Sequence, residues 1–369
     1  MHYMALLAAS HAALAVGSVI SPKTTRDIDN TQPFGQNQIR SFRTEYLGVQ
    51  LSKNSCNARD LGFAGHIQGK WLGVYGDNIG CAPGVHDPDK SDGQIHNFVR
   101  DSVAALTDNP LLVEDLNLDS RGYPQQFTPW ISWWGETAQT GFGGTSVVET
   151  DWDTATGAVY YLINQNEDYA HAGVGKVQIQ NGSLRMIERL GTNGWWWDTN
   201  KTAKWGDISA YRDERGEYIY LLANPPQGQQ GSAGQYVYQA RVKATEAFDL
   251  NKYQYWWGRQ KGWRSQLLDT FNPETAVMWG VGQGSMVYSN FYNCYFYVHT
   301  FFTGSILIRT APSPEGPWSA DVEVYKTTPI NNGFVYAGVV YPYLDISSKT
   351  LTIAFTNNNH IEVIKTTFS

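Results

Sequence analysis

The sequence predicts an all-β chain folded as a five-bladed β-propeller, on three observations. One layout recurs in order five times: a Gly/Ser-rich entry, a short alternating strand, a polar turn and an aromatic strand. The composition is that of a globular chain with a large core, with 42% hydrophobic residues, 36 Gly, and 14 Trp, 22 Tyr and 15 Phe. Taking 21 to 369 as the mature chain, five units receive about 70 residues each, enough for four strands and their loops. A β-sandwich also uses short strands but gives no reason for the same entry, hairpin and third strand to return five times.

The first unit pairs Arg59 to Ile67 with Trp71 to Asp77, and the second pairs Gly144 to Glu149 with Ala158 to Ile163. The third runs Asp207 to Tyr211, Tyr218 to Leu222 and Tyr236 to Val242. The fourth runs Gly284 to Tyr288, Tyr295 to Thr300 and Ile306 to Ala311, and the fifth Tyr336 to Tyr341, Leu351 to Phe355 and His360 to Thr366. Between the first two units, about 78–142 shows few strand signals and holds Pro83, Pro88, Pro110, Pro124 and Pro129. It reads as a loop insertion over one face, and long ordered loops of this kind tend to carry function.

Ala5 to Val16 is apolar and small, and Ala13-Leu14-Ala15 has the form of a signal-peptidase site, so 1–20 reads as a signal peptide. The alternative is an apolar N-terminal strand or buried helix. Asn181-Gly182-Ser183 and Asn200-Lys201-Thr202 match the glycosylation acceptor pattern, and together they add to an extracellular reading. Cys56 and Cys81 bracket the first hairpin closely enough for a disulfide, which leaves Cys294 free and buried. A net charge of −7 with mixed signs offers no cationic face for nucleic acid or anionic lipid. Neither is expected as a partner, and a monomer is.

The most specific chemical signal lies in the first hairpin. With Gln68-Gly69 as a two-residue turn, Ile67 faces Lys70 and Asp60 faces Asp77 directly. Directly opposed side chains have β-carbons about 5 Å apart, where two carboxylates repel and one pKa should rise. A fold that needed only stability would avoid that pair, so it points to acid and base chemistry, and its closeness leans toward a retaining geometry. The alternative is an Asp60 paired with Arg59 or another cation and an Asp77 that caps a turn. Asp207 in Trp205-Gly206-Asp207 occupies the matching entry of the third unit, as a third site acid or as a backbone-bonding Asp. Asp151 and Asp153 flank a turn and read as solvated.

Many tryptophans fall in loops and unit entries, among them Trp130, Trp133, Trp134, Trp195 to Trp197, Trp205, Trp256, Trp257 and Trp279. Such rings suit the C–H face of a sugar, although about half of them should wedge between blades. Trp134, Trp205 and Trp279 are the preferred sugar contacts, with Arg59 and Tyr336 as further substrate-binding residues. His66, His86 and His96 match no metal-ligand spacing, and no phosphate loop or dinucleotide fingerprint appears in an α/β context, so no metal and no cofactor are expected.

Arg59-Asp60-Leu61-Gly62-Phe63 with Gly76-Asp77, Ser313-Pro314-Glu315-Gly316-Pro317-Trp318-Ser319, and Tyr336-Ala337-Gly338 resemble phrases of the five-bladed propeller glycoside hydrolases. The resemblance is strongest to the secreted endo-D-arabinanase-like family, more distant to the arabinanase/β-xylosidase propellers, and covers most of 45–369. It implies that Asp60 and Asp77 are the catalytic pair. The arabinanase/β-xylosidase type would carry a general-acid Glu on the third unit, where this chain has Asp207. The expectation is a secreted glycoside hydrolase acting on a polysaccharide, arabinan-like or related. A sugar-binding propeller without catalysis, or a propeller polysaccharide lyase using a base such as His66 or a Tyr, are the alternatives.

Overall fold

The computed structural model describes residues 35–54, 56–165, 168–229 and 236–369; the expected leader, 1–20, lies outside them. Among the described residues the chain is all-β, its helical turns being short 3-10 segments. No described helix is long and apolar enough to cross a membrane.

β1 (Phe42–Val49) leads into a first sheet of β2 (Leu51–Ser52), β3 (Asn57–Ile67), β4 (Lys70–Gly80), β5 (Asn97–Leu106) and β6 (Leu112–Asp115), ordered β2-β6-β5-β4-β3. The second sheet holds β7 (Gly141–Gly144), β8 (Val148–Asp151), β9 (Thr156–Gln165), β10 (Asp168–Gln180), β11 (Ser183–Arg189) and β12 (Trp197–Asp198). The third holds β13 (Ser209–Arg212), β14 (Tyr218–Ala223), β15 (Tyr236–Lys243), β16 (Gln254–Trp256), β17 (Trp263–Arg264) and β18 (Met278–Trp279). An eight-stranded sheet contains two antiparallel meanders. One is β19 (Gly284–Ser289), β20 (Cys294–Thr300), β21 (Ser305–Ala311) and β22 (Val322–Lys326). The other is β23 (Val335–Val340), β24 (Thr350–Asn357), β25 (His360–Phe368) and the N-terminal β1. A single parallel bridge, Gly284 to Gly338, joins the two.

The core lies between these units, not inside any one of them. Ile67, Leu72 and Val74 of the first sheet pack on Val147, Val159 and Val177 of the second, whose Tyr160, Leu162 and Val174 pack on Leu221, Tyr238 and Val242 of the third. Ile208 and Leu222 continue to Met286 and Tyr297, Phe296 and Ile308 to Ile353 and Phe355, and Val339 and Ile361 return to Leu61 and Phe63. The cycle closes. The leading strands follow the same circuit, with contacts running β3 to β8, β13, β19, β23 and back to β3. A sheet covered on both faces needs near-continuous apolar strands, and β20 and β21 are buried at every residue. At the tightest approach a side chain on Gly65 would run into the Val147 carbonyl.

Residues 78–142 differ from the expectation of a loop insertion, because β5 and β6 are the third and fourth strands of the first sheet. β5 is buried on both faces and so lacks the alternation that marks a strand, and Pro-bearing loops flank it. The two glycosylation acceptors, Asn181 and Asn200, sit exposed in turns.

Cys56 and Cys81 are disulfide-bonded and Cys294 is free and buried, as the spacing suggested. The bond closes the open end of the β3–β4 hairpin, where Asn57 faces Gly80. Closing a loop of 25 residues restricts the unfolded chain by about 3.5 kcal/mol. A Cys56→Ser, Cys81→Ser variant is therefore expected to lose about that much in urea denaturation; an unchanged midpoint would contradict it. Burial pushes the Cys294 thiol up to about 11, so a thiol reagent should leave it unmodified in the native protein.

Candidate active site

The β3–β4 hairpin starts in the expected register, Ile67 facing Lys70 and Phe63 facing Val74. It then departs from it. An extra residue at Gly62 on β3 shifts the pairing, so Asp60 faces Gly76, and a second irregularity at Asp77 on β4 restores it by Ala58 and Ile79. Leu61, Gly62 and Asp77 all have positive φ, at 64°, 79° and 30°. The Leu61 amide is drawn off the ladder to the Thr356 hydroxyl at 2.9 Å. Bulges re-aim side chains and are common beside active sites. Asp60 and Asp77 are thus not directly opposed, which corrects the simple register and removes its argument for a retaining spacing.

The carboxylates remain together by another route. Asp60 is buried, and Tyr336 donates its hydroxyl to Asp60 Oδ2 at 2.6 Å. Burial first, and then the nearby Asp60 and Asp77 carboxylates, hold the Tyr336 phenol well above its ordinary pKa. It stays protonated and remains a donor, which favours an ionised Asp60. The other oxygen, Oδ1, lies over Gly76, where any β-carbon would overlap it. Asp77, also buried, meets Arg100 Nη1 at 3.4 Å.

Asp207 enters from just ahead of β13. Its oxygens accept from the Asn224 amide at 3.0 Å and the Asn224 side chain at 2.9 Å. Burial outweighs these bonds and pushes its carboxyl up to about 6. Gln283 donates to the Asp207 carbonyl at 3.0 Å and its own carbonyl accepts from Gly338, two residues from Tyr336. Hydrogen bonds through Gln283 therefore join the entries of the third, fourth and fifth units.

Asp101 on β5 completes the row, since Gly76 faces both Asp60 and Asp101. Its carboxylate accepts the amides of Phe127 and Thr128, at 3.1 Å and 3.0 Å, and the Gln126 side chain. Burial pushes it up to about 7. It ties the 126–128 segment to the site. Sequence reasoning passed over Asp101 because 78–142 read as a loop; once β5 is paired with β4, the residue opposite Gly76 is the one to examine.

Three expected sugar contacts lie elsewhere. Arg59 is buried, ion-paired to Asp115 at 2.7 Å and stacked on Tyr75 at 4.1 Å, because neighbouring strand residues point to opposite faces. Trp205 is fully buried between the second and third sheets, 5.1 Å from Tyr255, with no face left for a ligand. Trp279 lies beneath Arg309 in an outer cleft of about 520 Å³ shared with Trp256, Arg259, Lys261 and Asn272. Trp134 is half-buried under Arg189. Tyr336, expected as a sugar contact, bonds to the Asp60 carboxylate. His66 pairs with Glu214 in a second cavity of about 350 Å³ to which all five units contribute. No group of three or more His, Cys, Asp or Glu residues placed to hold a metal ion occurs among the described residues.

An all-β ring of sheets with buried carboxylates at the entries of its leading strands defines the class. The chain belongs to the family described as "Domain of unknown function (DUF4185)", whose model matches residues 49–366. No curated protein matches it. Among solved structures it is similar to a Bacteroides ovatus protein provisionally named a hydrolase, with 13% identity, a TM-score of 0.55 and 87% of each chain covered. That likeness is one of fold. Weaker likenesses are to an exo-β-1,3-galactanase from Phanerochaete chrysosporium, 12% identical with a TM-score of 0.49 over 87% of this chain and 64% of the other, and to a Coprinopsis cinerea GH62 α-L-arabinofuranosidase, 9% identical with a TM-score of 0.44 over 87% and 97%.

Two substitutions test the geometry. Gly76→Ala is expected to displace the Asp60 carboxylate and impair whatever chemistry the site performs, while leaving secondary structure intact by circular dichroism. Tyr336→Phe removes the donor to Asp60, so the Asp60 carboxyl, followed by NMR titration, is expected to protonate at higher pH than in the parent. An unmoved titration would contradict the role given to the hydrogen bond.

Proposed function

We propose that the five meanders are blades of a five-bladed propeller and that the chain is a secreted glycoside hydrolase acting on a polysaccharide, arabinan-like or related. The observation that carries the reading is a set of buried carboxylates, Asp60 and Asp77 beside Tyr336 and Asp207 just ahead of β13. Asp60 has a donor that favours its ionised form, and Asp207 is held up to about 6 by burial. Glycosidic hydrolysis needs one carboxyl that holds a proton for the leaving oxygen and another that acts as base or nucleophile.

Asp207 is the proton donor in this reading. Asp60 activates water or attacks the anomeric carbon, and Asp77, fixed by Arg100, supports the developing positive charge on the sugar beside it. Asp207 stands on the third unit, where the arabinanase/β-xylosidase type carries its acid. The resemblance at Arg59 to Phe63 and at Gly76-Asp77 supports the same carboxylates and the endo-D-arabinanase-like assignment.

Hydrolysis of arabinan, arabinogalactan or fungal wall glycans should release reducing ends and no unsaturated uronic products. Asp60→Asn and Asp77→Asn are expected to abolish it with folding retained. The acid role predicts that turnover declines as pH rises through about 6, where Asp207 loses its proton. Asp207→Asn should lose activity on polysaccharide yet keep much of it on an aryl glycoside, whose leaving group needs no proton. Equal loss on both substrates, or rescue of Asp77→Asn instead, would overturn the assignment. Sugar binding without new ends under any condition would favour a binding module.

A further inference from the structure

We propose that Trp133 is a stacking platform for a sugar ring of the bound glycan, a subsite held at a fixed distance from the carboxylates; it rests on the hydrolase reading above. Trp133 is 83% exposed, the most exposed of the large hydrophobic side chains described. A lone exposed tryptophan would need no explanation, but the segment that presents this one is fastened at several points. It sits in a 3-10 turn, Ser132–Trp134, which ends at Gly135 in the left-handed region. Glu136 and Arg189 form a two-pronged ion pair at 2.6 Å and 2.7 Å with both side chains almost wholly buried.

That pair holds the turn from beneath. Glu136 accepts the Ile131 amide at 2.9 Å, Arg189 donates to the Pro129 carbonyl at 3.1 Å, and Trp130 donates from its indole to the Thr140 carbonyl at 2.9 Å. Trp134 turns inward, 5.0 Å from the Arg189 guanidinium. Removing water from two charges is a costly way to stabilise a surface turn, whereas breaking such a pair strands a buried charge, so it fixes geometry firmly.

The two ends of the same segment are tied to the site. Asp101, across Gly76 from Asp60, binds the Phe127 and Thr128 amides. Arg100, which contacts Asp77, donates to Gln139 at 3.2 Å. Trp133 is five positions from Thr128, so their Cα atoms lie within about 18 Å of one another. A glycan with a few rings beyond the cleaved bond spans such a distance. A rigid indole face offered to solvent there suits the C–H face of an uncharged sugar.

The test uses arabinan- and arabinogalactan-derived oligosaccharides of increasing length. Binding is measured by calorimetry on the inactive Asp60→Asn protein with and without Trp133→Ala, and turnover on the otherwise native protein. Trp133→Ala is expected to weaken the longer oligosaccharides roughly tenfold, to raise KM for polysaccharide with kcat unchanged, and to leave cleavage of a short aryl glycoside as in the parent. Trp133→Phe should recover most of the loss. Equal affinity at every length would overturn the platform and leave the hydrolase reading standing. A fall in melting temperature, or loss on the short substrate as well, would show that the residue is structural and overturn it too. If the parent neither binds nor cleaves any of these glycans, both readings fall.

Discussion

A hydrogen bond donated to a buried carboxylate favours its ionised form and works against the cost of burial. For Asp60 the structure supplies a donor from the far end of the sequence, the Tyr336 hydroxyl, 276 residues away. That contact exists because the last meander packs against the first sheet through Val339, Ile361, Leu61 and Phe63. The last meander in turn is completed by β1, which pairs with β25 from Phe42 and Phe368 to Val49 and Glu362. The site therefore depends on closure of the whole ring. Damage to the β1–β25 seam would reach Asp60 through that packing.

The local chain is shaped for the same end. Gly62 lets β3 take up an extra residue, Gly76 clears space for an oxygen of Asp60, and the Cys56–Cys81 bond holds the hairpin at its open end. The positive φ at Leu61 and Asp77 is costly for residues with a β-carbon, and such strain tends to collect where function requires it. The Leu61 amide recovers a partner in Thr356. Burial raises the carboxyls of Asp207 and Asp101 despite the hydrogen bonds each accepts, so both hold a proton to higher pH than an ordinary aspartate.

Much of this was legible in the sequence. Turn residues at Gln68-Gly69 and the five recurring strand groups were enough to place the hairpin and the repeated units, because those signals are local. The bulges were not legible, since they follow from a hydroxyl on β24 and from packing between sheets. Burial on both faces hid β5 and, with it, Asp101. Trp205 was a preferred sugar contact because it lies near a unit entry, yet that entry is clamped between two sheets. The displacement of Arg59 was legible after all: adjacent strand residues alternate faces, so Arg59 and Asp60 were never candidates for the same side.

The most direct test of the account is a crystal structure of the Asp60→Asn protein with an oligosaccharide that the parent cleaves. A glycan is expected across the strand entries, its anomeric carbon beside residue 60 and its glycosidic oxygen within hydrogen-bond reach of Asp207. A glycan found instead in the outer cleft with Trp256 and Trp279, or in the cavity beside His66, with the carboxylates uncovered, would contradict it.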